Sequence, residues 1–235
     1  GKIISMEEHI RLKLKKSLRR EQVFLDGLLP EIPGKTALIV GCDHNGSFEA
    51  HSTLRHCYYA SGFVSSEDAY GAQFAAKYWP FKENTFDVIF LYHALPFSGK
   101  LPKLLTQIYH CLTKGGTLVI VDFHPSLSGL KMMKAFRQKR HHYTYSYLNQ
   151  ILVENNFAMV EMHSFGPDAN VVYDWFYKFA PSAATSFVGV FKKVSFPMSP
   201  FELHEATSLV TKGRYIPSGS VSGQINLKEQ LLCQS

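Results

Sequence analysis

The sequence is poor in several features, and each shortage removes a class of protein. Cysteine is scarce: Cys42, Cys57, Cys111 and Cys233 are the whole set in 235 residues. They form no CxxC pair, and no Cys/His cluster has zinc spacing, so a disulfide scaffold and a zinc module are excluded. Long hydrophobic runs are missing as well. The longest, residues 88–92 and 118–121, are strand-sized and far from the ~18 apolar residues that cross a bilayer as a helix. No repeat recurs at a solenoid-like period of about 20–50 residues. The N-terminal stretch has charge but no apolar core followed by a cleavage site, so no secretory signal is expected. With thiols unpaired, the expected location is cytoplasmic. Nothing in the pattern asks for a metal.

What is present is a globular composition, 46% hydrophobic and 19% charged, on a chain long enough for one full core with modest extensions. Lys plus Arg is 25 and Asp plus Glu is 19, a net charge of +6. That bias permits an anionic partner or an acidic membrane surface without requiring one.

Ser5 and Glu8 make a capping box that opens a helix. Ile10, Leu14 and Leu18 then fall on one apolar stripe. Arg11, Lys13, Lys15, Lys16, Arg19 and Arg20 load the same segment with positive charge, either as a solvated face or as a contact to an anionic partner. Pro30 and Pro33 end the helical pattern. Residues 36–41 (TALIVG) predict a buried strand, followed by a Gly-containing loop and a short helix. Weaker strands are predicted at 57–60 and 71–76, and a strong one at 86–92. A helix over 101–112 is stopped by Gly115-Gly116, and a strand over 117–123 follows. Helices over 126–140 and 145–155 and strands over 158–165 and 186–194 complete the pattern. Alternating strands and helices predict an α/β fold, a mostly parallel sheet with helices on both faces. The domains read as 1–34, a basic helix packing on the core; 35–200, the α/β domain; and 201–235, a polar extension. Between the last two strands lie Tyr173, Trp175, Phe176, Tyr177 and Phe179, either a wall for an apolar ligand or core over the sheet edge. Lys131, Lys134, Arg137, Lys139 and Arg140, interleaved with apolar residues, form a second basic cluster.

Residues 79–95 (WPFKENTFDVIFLYHAL) resemble the LPF…SFD…H-x-L run of class I S-adenosylmethionine-dependent methyltransferases. Residues 104–123, including LTKGGTLVI, resemble the L-x-P-G-G-x-L-V-I block that follows it in that family. The Leu95-Pro96-Phe97 variant after His93 and the end over 192–200 (KKVSFPMSP) are most similar to a short proteobacterial branch of the type 11 methyltransferases. The resemblance spans roughly residues 17–200. It implies a Rossmann-like class I methyltransferase fold with a seven-stranded sheet, S-adenosylmethionine as cofactor and a small-molecule acceptor. It also implies a cofactor site built from Gly41, Cys42, Asp43, Glu67, Asp68, Ala76, Trp79, Tyr92 and His93. Gly41 is a cofactor-loop glycine or a simple strand-end turn, and Asp43 a ligand contact or a helix cap. His93 is a candidate catalytic base or a pocket wall.

Three carboxylates of the family pattern are displaced. Ile39 stands where the first-motif acid is usual, and Asp43 replaces a glycine. No acid lies near Ser61-Gly62, and Ala75 stands where Asp usually precedes the LPF block. These departures keep a second reading open, a non-catalytic binding or partner module on the same fold. A nicotinamide-binding domain fits less well, because G-x-G-x-x-G is absent after the first strand.

Overall fold

The computed structural model describes residues 6–41, 54–60, 79–95, 101–125, 143–166 and 184–195. The expected third strand at 71–76, the helix at 126–140, the second basic cluster, the aromatic insert and the 201–235 extension lie outside these residues.

Helix α1 (Met6–Leu28) leads through a 3-10 turn (Leu29–Glu31) into β1 (Thr36–Gly41). Then come β2 (His56–Ala60), β3 (Phe86–Tyr92), α2 (Leu101–Cys111), β4 (Leu112–Phe123), α3 (Tyr145–Glu154), β5 (Phe157–Phe165) and β6 (Ser186–Lys193). The described strands form one six-stranded sheet in the order β2-β1-β3-β4-β6-β5. β2, β1, β3 and β4 pair in parallel, while β6 runs antiparallel to both β4 and β5.

The sheet is covered on both faces, which is why its strands read as unbroken apolar runs. Side chains alternate across it with period two. Leu38, Val40, Ile89, Leu91, Leu118 and Ile120 face a core shared with Leu101, Leu104, Leu105 and Ile108 of α2 and Leu148 and Leu152 of α3. Ala37, Ile39, Val88, Phe90, Val119 and Val121 face the opposite core, capped by Leu25, Leu28 and Leu29 at the end of α1. The buried stripe of α1 is therefore Ser17, Glu21, Leu25 and Leu28. Leu18, the one residue of the expected Ile10, Leu14 and Leu18 stripe whose side chain is described, is only half-buried; the side chains of Ile10 and Leu14 lie outside those described.

The helix expected over 101–112 is observed as α2, Leu101–Cys111, but Gly115-Gly116 is not what stops it. Leu112 already pairs with Phe86, and Thr117 is next in register, opposite Val88. Residues 113–116 bulge between them, and Gly115 takes the positive φ (+68°) that the bulge requires. Lys193 Nζ donates to Leu112 O (2.7 Å) and Lys192 Nζ to Gly115 O (3.1 Å), pinning the bulge to β6. α3 begins at the Thr144 cap, whose hydroxyl accepts the Tyr147 N–H (3.3 Å).

Asp87 ties the opposite end of the sheet. Its Oδ2 accepts the backbone N–H of Lys35 (2.8 Å) and Thr36 (3.1 Å), and its Oδ1 the Thr113 hydroxyl (3.2 Å). Burial raises its pKa, but the two backbone donors, the Thr113 hydroxyl and the Lys35 charge together outweigh that and hold the carboxyl below its ordinary range. This is a structural role at the N-terminal edge of the strands.

The order places β1 between β2 and β3, so the chain passes to one side after β1 and to the other after β3. Such a switch point opens a crevice outside the carboxyl ends of those two strands. Gly41 and Tyr92 are paired at that end.

Candidate functional site

The lip of the crevice is built where β1 and β3 terminate. Gly41 has φ +145°, and a Cβ at this position would overlap the Tyr92 carbonyl. The glycine is thus demanded first by the neighbouring strand. Of the two expectations for Gly41, a cofactor-loop glycine or a strand-end turn, the backbone of β3 supplies a direct cause for the second.

His93 follows Tyr92 with φ +49°, a conformation that non-glycine residues seldom adopt. Its N–H donates to Val121 O (2.7 Å), extending the sheet by one bond. The turn buries the imidazole completely. The ring stacks on Phe123 (centroids 4.3 Å) and meets Tyr92 edge to face (4.8 Å).

The partner of His93 comes from α1. Because α1 descends toward the start of β1, its earlier turns stand over the carboxyl ends of the strands. Glu21, one turn before Leu25, is fully buried there. His93 Nε2 lies 2.9 Å from Glu21 Oε2, and Nδ1 lies 3.8 Å from Asp122 Oδ1. Asp122, at the end of β4, accepts the Phe123 N–H through Oδ1 (2.8 Å) and the Leu95 N–H through Oδ2 (3.1 Å). Burial alone would push the imidazole pKa down. The Glu21 carboxylate and Asp122 outweigh it and hold His93 at about 9. His93 is therefore an imidazolium at neutral pH, with Nε2 donating to Glu21. Both ring nitrogens of His93 are thus turned toward acidic side chains of this chain, Nε2 to Glu21 and Nδ1 to Asp122. Tyr92, also buried, has its phenol pushed well up by desolvation and by Glu21.

Trp79, expected beside the cofactor, is buried in the core on the α2 side. Its ring meets Phe81 edge to face (6.2 Å), and its backbone N–H donates to Gln107 Oε1 (3.3 Å). Cys42, Asp43, Glu67, Asp68 and Ala76 lie outside the described residues. His124, which has no partner pattern in the sequence, follows β4 directly. It is buried against Phe187, and desolvation lowers its pKa to about 4.

Glu21 and Ser17 are what sequence reasoning missed. The available signal was an acid and a serine at i, i+4, in line with Leu25 and Leu28, inside a basic segment. Lys15, Lys16 and Arg19 are exposed. Arg20 turns aside, donating to Gly166 O (3.2 Å) and lying over the Phe165 ring (5.6 Å). No group of metal-binding side chains occurs among the described residues.

A family model described as a methyltransferase domain matches residues 44–120, from just after β1 into β4. An S-adenosylmethionine-dependent methyltransferase from Mesorhizobium loti superposes with a TM-score of 0.56 at 15% identity, covering 73% of this chain and 97% of that one. The chain has the class I methyltransferase fold. A geranyl diphosphate C-methyltransferase from Streptomyces coelicolor, solved with Mg2+, geranyl diphosphate and S-adenosyl-L-homocysteine, is also similar. It has a TM-score of 0.56 at 12% identity, over 77% of this chain and 82% of that one. A [4+2]-cyclase matches as well, with a TM-score of 0.52 at 11% identity, over 73% and 80% of the two chains. No curated protein matches the sequence. In this methyltransferase-fold chain, β1 and β3 are the two strands that flank the switch point, and β6 is the antiparallel strand at the far side of β4.

Proposed function

We propose that this chain is an S-adenosylmethionine-dependent methyltransferase acting on a small-molecule acceptor. The observation that carries the reading is the coincidence of the methyltransferase-domain match with the switch point: the match begins at residue 44, immediately beyond the Gly41 end of β1, and includes the Tyr92–His93 lip. Residues 35–200 are taken as the methyltransferase-like domain, with α1 packed across its crevice. Gly41, Cys42 and Asp43 on one side, Tyr92 and His93 on the other, and Glu67, Asp68, Ala76 and Trp79 around them are the residues proposed to hold the cofactor. Trp79 would act through its backbone or as a buried support, given its place in the core.

The polar groups at the crevice suit such a ligand. Two acidic side chains, Glu21 and Asp122, share the one His93 ring, and Glu21 Oε1 has no hydrogen-bond partner among the described residues. When bound, the cofactor supplies an electrophilic methyl group on a positively charged sulfur. The chain contributes alignment, since in-line displacement rewards orientation more than any single catalytic group. His93 holds its proton, so its part is to fix Glu21 and the lip. Exposed Lys15, Lys16 and Arg19 offer an anionic partner a contact, and a cytoplasmic location is proposed from the unpaired thiols. No helix among the described residues is long and apolar enough to cross a membrane.

A second reading is favoured by one specific observation. Ile39, standing where an acid is usual, is fully buried in the α1-side core, so that anchor is absent. The [4+2]-cyclase among the similar structures carries this fold under a different named activity. The chain would then be a non-catalytic or differently active module. Incubation of the full chain with methyl-labelled S-adenosylmethionine and a fractionated small-molecule extract separates the two. Label in an extract component supports methyl transfer; cofactor binding with no transfer across all fractions favours the module.

A further inference from the structure

Ser17 and Glu21 stand four residues apart on α1, on one face, with an axial rise of about 6 Å between them. Both are buried, at 8% and 0% exposure. Ser17 Oγ and Glu21 Oε1 have no hydrogen-bond partner among the described residues. Folded proteins seldom leave buried acceptors unmatched, least of all a carboxylate oxygen. The neighbouring groups do not serve. His93 Nε2 is spent on Glu21 Oε2. Asp122 is itself an acceptor, occupied by two backbone donors. Arg20, the adjacent cation, is turned to Gly166 and Phe165. Tyr92 is a neutral phenol. Among the described residues, α1, β3 and β4 bring to this spot the His93 ring, the acidic side chains of Glu21 and Asp122, and the Ser17 hydroxyl. Two acidic side chains share one basic ring, and the two open oxygens lie on one face of α1. A cation with several N–H donors suits that arrangement.

We propose that Ser17 and Glu21 form a subsite for an ammonium group at the rim of the crevice. The ammonium has two sources in a methyl-transferring protein: the amino-acid end of the methionine-derived nucleoside, or an amine acceptor. The nucleoside source rests on the methyltransferase reading above; the chemistry of the subsite is the same for both.

The test is calorimetric titration of the full chain with S-adenosylhomocysteine and with 5′-methylthioadenosine, which lacks the amino-acid end. Ethylammonium, added in the presence of S-adenosylhomocysteine, is the amine probe. Glu21→Gln removes the charge and keeps the shape. If the nucleoside supplies the ammonium, this variant weakens S-adenosylhomocysteine by about tenfold or more, the scale of one charged hydrogen bond, and leaves methylthioadenosine unchanged. If the acceptor supplies it, both nucleosides bind as before and the ethylammonium signal is lost. Either result supports the subsite. Equal weakening of both nucleosides in a folded variant, or no change in any ligand, overturns it. Should circular dichroism show Glu21→Gln unfolded, Ser17→Ala decides, with a several-fold loss confined to the ammonium-bearing ligand expected. A wild-type chain that binds neither nucleoside sinks the methyltransferase reading instead, and the subsite then stands or falls on ethylammonium alone.

Discussion

Two buried histidines give the molecule opposite responses to pH. His93 has a folded pKa of about 9, above its ordinary 6.5. The folded state therefore binds the extra proton between those values. Its stabilisation is complete below pH 6.5 and is lost as pH rises through about 9. His124 works the other way, with a folded pKa of about 4 against 6.5. Stability is intact above pH 6.5 and falls as pH drops toward 4. Thermal unfolding followed across pH should give a dome, with Glu21→Gln flattening its alkaline side and His124→Gln its acid side. An alkaline limb unchanged in Glu21→Gln contradicts the ion pair. Glu21→Ala strands a buried imidazolium and should cost about 3–5 kcal/mol, read from denaturant midpoints. Gly41→Ala should also destabilise, by about 1–3 kcal/mol from its positive φ alone before the overlap with Tyr92 is counted. That loss should appear with no ligand present, so a change at Gly41 is a poor probe of cofactor binding. Residue identity made Gly41 and His93 legible in the sequence. Their surroundings were hidden, because a strand-end carbonyl and a glutamate 72 positions away enter only through tertiary structure.

Helix α1 carries both a structural and a polar load, and the two separate along its length. Its last two turns bury Leu25 and Leu28 against the sheet, with Leu29 of the 3-10 turn beside them, while the turns before them bring Glu21 and Ser17 to the crevice. Leu25→Ala should cost about 2–5 kcal/mol, whereas Lys16→Ala and Arg19→Ala on the exposed face should stay within about 0.5 kcal/mol. Equal effects at the two kinds of site would mean that α1 is not docked as described. The existence of this helix was plain from its capping box and terminal prolines. The face it buries was not, since Leu18 and Leu25 are equally apolar and only the sheet distinguishes them. The strands were legible for a related reason: a sheet covered on both sides needs continuous apolar runs, and 36–41, 86–92 and 117–123 supply them. The end of α2 was legible to within one residue, but the glycine pair expected to stop it lies in a bulge of β4, because such a pair marks a bulge inside a strand as readily as a helix stop.

At the scale of the whole molecule, one sheet separates two cores, and the candidate site lies where its parallel strands end. Leu105→Ala in one core and Leu25→Ala in the other should each lower the same single unfolding transition, with nearly additive losses, because the residues share the sheet but not a contact. Two separate transitions would show that the layers fold independently. The order β2-β1-β3-β4 with β6 antiparallel puts the crevice at Gly41 and Tyr92, and the family blocks at 79–95 and 104–123 had already pointed to that end of the sheet. The carboxylate on α1 carried no such mark, because it belongs to no motif and acts through packing. The central claim is that this crevice binds a methionine-derived nucleoside. The most direct measurement is a calorimetric titration of the full chain with S-adenosylhomocysteine. Saturable one-to-one binding in the micromolar range is the predicted result. Absence of binding up to millimolar ligand, with the chain folded by circular dichroism, would contradict it.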